Sequence, residues 1–135
     1  MVLFVTKAMK GAALASVLAL LLCAAPAERT YAQVTLDNRP YDAQLLRLSE
    51  ILGAIHYLRE LCGAEEGQLW RDQMREILRS EGSTAIRRAK LVQSFNKGYR
   101  GYRRTYRDCN ESAKVAIERF MAEGADLTAV LVKQN

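Results

Sequence analysis

The stretch "VQSFNKGYRGYRRTYRDCNESAKVAIERF", residues 92–120, decides the fold. Val92, Phe95, Tyr99, Tyr102, Tyr106, Cys109, Ala113, Ala116 and Phe120 recur at alternating steps of three and four. That rhythm is the apolar seam of a helix. It predicts one long helix over Thr84–Glu123 that crosses Gly98 and Gly101 without a break. At 1.5 Å per residue such a helix would extend roughly 60 Å. Each glycine costs about 1 kcal/mol against alanine inside a helix. Both fall off the seam, so a close neighbouring helix or a kink would account for them. The tyrosines read as packing, with hydroxyls at the edge where water or a partner satisfies them.

Upstream, Leu45, Leu48, Ile51, Leu52, Ile55, Leu58 and Cys62 keep the same spacing and predict a helix over Tyr41–Cys62. Pro40 suits its start and Gly63 its stop. A shorter helix is expected over Gln68–Glu81, burying Trp70, Met74, Ile77 and Leu78. Gly82 ends it, and Ser83 or Thr84 caps the next helix. Gly124 is read as the end of the long helix, followed by a terminal turn over Asp126–Val132. No strand pattern or internal repeat appears. The expected fold is all-α: a small helical bundle or hairpin with the long C-terminal helix as its spine.

The N-terminal residues bear on compartment. Lys7 and Lys10 precede an apolar run, Ala12–Cys23, broken only by Ser16, and then Ala24, Ala25, Pro26 and Ala27. This is the plan of a secretory signal peptide, 1–27, with a second fitting cleavage site after Ala32. The run is short for a bilayer span, which needs about 20 apolar residues. Leu22 is too large for the usual residue before a lipidated cysteine, so Cys23 reads as apolar filler, with a lipid anchor on Cys23 or an uncleaved membrane anchor as the alternatives. The expectation is export to the periplasm, an N-terminal arm over 28–40, and a single helical domain over 41–135. Removing residues 1–27 takes away Lys7 and Lys10 and no acid, so the formal net charge falls from +5 to +3. Cys62 and Cys109 remain, and an even count in an exported chain argues for one disulfide. Closing the loop between them contributes about 4 kcal/mol by chain-entropy reasoning.

The chemistry in the chain is sparse. From Arg87 to Arg107 there are eight cations and no acid. Lys97, Arg100, Arg104 and Arg107 step by three, four and three on the side away from the tyrosines. Arg103 borders that face, and Lys90 and Lys114 extend it. Charge runs often form no more than a solvated surface. The functional reading is an anionic partner: a lipid headgroup met peripherally, a cell-wall polymer, or an acidic protein. Export removes most of the case for nucleic acid. His56 is the single histidine. His56 and Glu60 share a helix face but lack the HExxH order and the three or four ligands of a metal site. Glu65-Glu66 is a loop charge cluster. No phosphate loop or serine nucleophile motif is present, and no cofactor is implied.

The segments "LSEILGAIHYLRELCG" (48–63), "LWRDQMREIL" (69–78) and "FNKGYRGYRRTYRDCNESA" (95–113) resemble a family of small, uncharacterised exported alphaproteobacterial proteins. The resemblance covers about Tyr41 to Gly124. It implies Cys62–Cys109 as a bridge and implies no activity. The leading expectation is a periplasmic, non-enzymatic interaction or scaffold protein that uses the basic helix face. The alternative is a cell-envelope enzyme, or an enzyme accessory, with His56, Glu60 or Glu65 in acid–base roles. The partner and the oligomeric state stay open.

Overall fold

The computed structural model describes residues 38–134, all within one structural unit, Leu36–Asn135. The signal segment 1–27, both cleavage sites, Cys23 and most of the arm lie outside the described residues. Four helices are present among those described: α1 (Asp42–Leu61), α2 (Leu69–Glu81), α3 (Ala85–Thr105) and α4 (Glu111–Gln134). The expected all-α fold with one disulfide is what the chain adopts. The first two helices lie within a residue of their expected bounds.

The single long helix is a correction. The chain leaves the helix at Tyr106, which adopts an extended conformation (φ −112°, ψ 125°), and re-enters at Glu111. Two hydrogen bonds hold the break, one long-range and one local. The Tyr57 hydroxyl donates to the Tyr106 carbonyl at 2.6 Å, and Asn110 Oδ1 accepts from the Ala113 amide at 2.9 Å. The second is an N-cap for α4. The Cys62–Cys109 disulfide pins this link to the end of α1, with Cα atoms 4.9 Å apart. It therefore staples α1 to the α3–α4 link, not to the middle of a helix. At the other end, α4 runs through Gly124 without stopping and absorbs the expected terminal turn.

The spine is α1, which packs against α2, α3 and α4. Its central turns, Ile51 to His56, are buried all round. Contacts fix the directions. Glu50 and Ala54 face Gly98, and Tyr57 meets Tyr99, so α1 and α3 run parallel. Arg47 holds Glu123 while Leu58 packs with Ala113, so α4 runs back along α1. Arg71 of α2 reaches His56, and Glu81 reaches Tyr41, so α2 also runs back.

The parallel pair touches backbone to backbone. A methyl group at Gly53 would lie 1.9 Å from the Phe95 carbonyl oxygen, and one at Gly98 would lie 2.0 Å from the Glu50 carbonyl oxygen. Only glycine admits that approach. It answers the question about Gly98: a neighbouring helix passes there. Gly101 has nothing within 4 Å of its would-be methyl, so no such reason applies to it. Gly63 ends α1 with φ +76°, a left-handed turn as expected.

Two apolar clusters flank α1. One joins Ile51, Ala54, Ile55 and Leu58 to Ala113, Ala116, Ile117 and Phe120 of α4. The other joins Leu45 and Leu52 to Met74, Leu91, Phe95 and Leu131. Val92, expected inside, is exposed, and Leu91 takes its place at 1% exposure. The Tyr99–Tyr102–Tyr106 row is half-buried. Tyr102 stacks on Tyr106 and stands edge-on to Phe120 at 5.0 Å.

Opposite the disulfide end, a buried ionic cluster ties three helix ends together. Arg87, at 4% side-chain exposure, pairs with Asp42 and Glu81 and donates from Nε to the Glu81 carbonyl at 2.6 Å. The Tyr41 hydroxyl and Arg39 also reach Glu81. Thr84 caps α3 by accepting from the Arg87 amide.

The glycine contact makes a directional prediction. Gly53→Ala and Gly98→Ala will each lower unfolding free energy by about 1–3 kcal/mol, the cost of overpacking. Gly101→Ala will raise it by about 0.5–1 kcal/mol through helix propensity. Urea denaturation of the three variants measures this. A common direction for all three would contradict the contact.

Candidate functional site

Two regions carry the residues with chemistry. The first is the outer side of α3. Arg100 and Arg104 project from it, exposed and without an ion pair or hydrogen bond to another described residue. Arg103 is exposed too, but its guanidinium lies over the Tyr99 ring, 5.7 Å from the centroid. Lys97 is partnered: its ammonium is 3.1 Å from Glu50 of α1. Arg107 is exposed and has no ion pair among the described residues, yet it sits in the link beyond Thr105, so helical spacing does not align it with Arg100 and Arg104. Lys114 belongs to α4 and pairs with Glu111.

The acid-free run is thus less uniform than its sequence. Arg87 leaves it for the interior, and acids from other helices neutralise Arg87 and Lys97. Among the described residues, Arg88 and Lys90 near the start of α3, and Arg100, Arg103, Arg104 and Arg107 at its end and in the link, are left without a carboxylate partner. Elsewhere arginines are generally matched. Arg47 makes a two-point contact with Glu123, and Arg59 does the same with Glu66.

The second region is a pocket of about 360 Å³ between α1, the α1–α2 link, α2 and α3. His56 and Glu60 both line it, whereas Glu65 does not; its neighbour Glu66 does. His56 is buried, at 5% exposure, with its ring against Phe95 and Tyr99. Arg71 Nε donates to His56 Nε2 at 2.7 Å. The histidine is therefore neutral, with its proton on Nδ1. Burial, and then the charge of Arg71, hold its pKa below the ordinary value, with Glu60 opposing weakly. Because Nε2 already accepts from a guanidinium, it is not free to take a proton from a substrate. On the rim, Glu66 accepts from Arg59 and from the Trp70 indole, 2.6 Å away, and Arg59 holds its carboxyl below the usual range.

Sequence reasoning placed His56 and Glu60 on one face but missed Arg71. The two partners are 15 residues apart on different helices, and nothing local in the chain announces the bond. Among the described residues no group of three or more histidine, cysteine or acidic side chains is arranged to hold a metal ion, and no helix is long and apolar enough to cross a membrane.

The described residues thus form a small, disulfide-stapled all-α domain with exposed arginines near the end of α3 and a polar side pocket. The family model described as "Protein of unknown function (DUF2385)" matches residues 40–135, and the chain belongs to that family. Comparison with curated proteins and with solved structures gives no match.

The buried histidine sets a pH dependence. Its folded pKa lies below the unfolded value of about 6.5, so the unfolded chain binds the proton more readily. Stability is then full above about pH 7 and falls as pH drops below about 6.5. Urea midpoints between pH 7.5 and 5.5 will show this decline for the natural protein. They will stay flat in that window for His56→Gln. Glu66 and Glu123, both depressed by their arginines, lose their contribution only as pH falls below the usual carboxylate range, and do so in both proteins.

Proposed function

We propose that the protein is a non-enzymatic interaction module of the cell envelope, exported to the periplasm. It binds an anionic envelope component or an acidic protein partner through the basic residues at the C-terminal end of α3 and in the link after it. The observation that carries this is the group Arg100, Arg104 and Arg107: exposed, close in sequence, and without a carboxylate partner among the described residues. Uncompensated like charges repel one another and cost stability. A surface that keeps them gains long-range attraction for anions. Lys97 and Arg103 flank the group and are already engaged, by Glu50 and by the Tyr99 ring. The export reading rests on the pattern of residues 7–27 and agrees with a disulfide between Cys62 and Cys109, a bond that persists in oxidising compartments. The resemblance to exported alphaproteobacterial proteins points the same way.

The test is the triple charge reversal Arg100→Glu, Arg104→Glu, Arg107→Glu. These residues are exposed and touch no core, so the variant will fold. Immobilised natural protein will retain at least one envelope component that added salt elutes. The variant will retain about tenfold less of it, a loss of about 1.4 kcal/mol. Equal recovery of every component by both proteins would overturn the proposal.

A further inference from the structure

The pocket beside His56 has a separate logic from the arginines of α3. Two of its charged groups cancel: Arg59 and Glu66 hold each other, and the Trp70 indole shares the Glu66 carboxylate. They form the frame. Two others do not cancel. Arg71 spends its Nε on a neutral histidine, which gives the guanidinium a fixed orientation and no counter-charge. Its two terminal nitrogens have no hydrogen-bond partner among the described residues. The Glu60 carboxylate, one turn along α1 from His56, likewise has no ion pair or hydrogen bond among them.

The pocket therefore presents a held cation, an unpaired anion and two aromatic walls, Trp70 and Tyr99. Arg71 also lies over the Tyr99 ring, 5.9 Å from its centroid, which braces it from a second side. A guanidinium fork anchored through Nε is the geometry that takes a carboxylate at two points. The volume, about 360 Å³, falls at the lower end of the range for small-molecule sites.

We propose that this pocket binds a small zwitterion of the amino-acid type, its carboxylate on the Arg71 fork and its ammonium at Glu60. The ligand's side chain lies against Trp70 and Tyr99. His56 is a positioning residue: it aims Arg71 and touches no ligand. A dianion such as phosphate meets the Glu60 charge and is disfavoured. A cation without a carboxylate leaves Arg71 unmatched.

Trp70 is the single tryptophan of the chain and lines the pocket, so its fluorescence reports occupancy directly. The experiment titrates the full chain with each of the standard amino acids to about 10 mM, a concentration that detects weak sites. The best ligand is then compared with its desamino acid and its decarboxylated amine. The expected result is a saturable emission change with at least one amino acid and binding about tenfold weaker for each truncated analogue. Arg71→Gln and Glu60→Gln will each weaken the amino acid by a similar factor. His56→Gln, which still offers Arg71 an acceptor, will bind more tightly than His56→Phe. Circular dichroism will confirm that the variants fold. No saturable response to any amino acid, equal binding of the desamino acid, or unchanged binding by Arg71→Gln would overturn the proposal. Because Arg100, Arg104 and Arg107 do not line this pocket, the triple charge reversal leaves this titration unchanged, so the two proposals fail independently.

Discussion

The contact of α1 with α3 at Gly53 and Gly98 governs the rest of the molecule. Two helices whose carbonyl oxygens press on each other's Cα atoms sit closer than side chains would allow. At that range Cα–H groups can donate weakly to the facing carbonyls. In an up-down-up-down bundle, first and third helices normally face each other across a core of side chains. Here they meet directly, so the core divides into two clusters along α1. The helices α2 and α4 both pack on α1, and the second cluster takes Met74 from one and Leu131 from the other. The two ends of the pair are then secured differently. The Cys62–Cys109 bridge holds the end with the α3–α4 link, and the Arg87–Asp42–Glu81 cluster holds the end where α1 and α3 begin. Breaking one partner of such a buried ionic cluster typically costs about 3–5 kcal/mol.

Much of this architecture was legible because helix periodicity is a local property. The bounds of α1 and α2, the stop at Gly63 and the cap at Thr84 all follow from residues within a turn or two. The break at Tyr106 was not legible, and the reason is physical. Helices α3 and α4 both turn their apolar sides to α1, and the short link between them happens to preserve the three-four rhythm. A seam records which residues face the core. It does not record whether the backbone between them stays helical. What breaks the helix is the Tyr57 hydroxyl on the Tyr106 carbonyl and the disulfide, both made by residues nearly fifty positions away.

The pairing of charges was hidden for a related reason. A run of cations without acids looks uncompensated when only neighbours in sequence are counted. Arg87 meets Asp42 and Glu81, and Lys97 meets Glu50, across helix interfaces. The same three-dimensional pairing leaves Arg100, Arg104 and Arg107 outside the compensation and leaves Arg71 facing a neutral histidine. His56 illustrates the distinction well: its place on α1 could be read from spacing, but its role depends on a guanidinium delivered by another helix.

Native-state hydrogen exchange tests the central place of the α1–α3 contact most directly. If that contact is the last to open, amides around Gly53–Ala54 and around Gly98–Tyr99 will exchange only through global unfolding. They will share one opening free energy and one denaturant dependence, both equal to those of urea unfolding. Amides of α2, which fully buries little beyond Met74 and Glu81, will exchange through smaller openings. Exchange of the α1 or α3 contact amides through local, denaturant-insensitive openings, while α2 or α4 stays protected, would contradict the account.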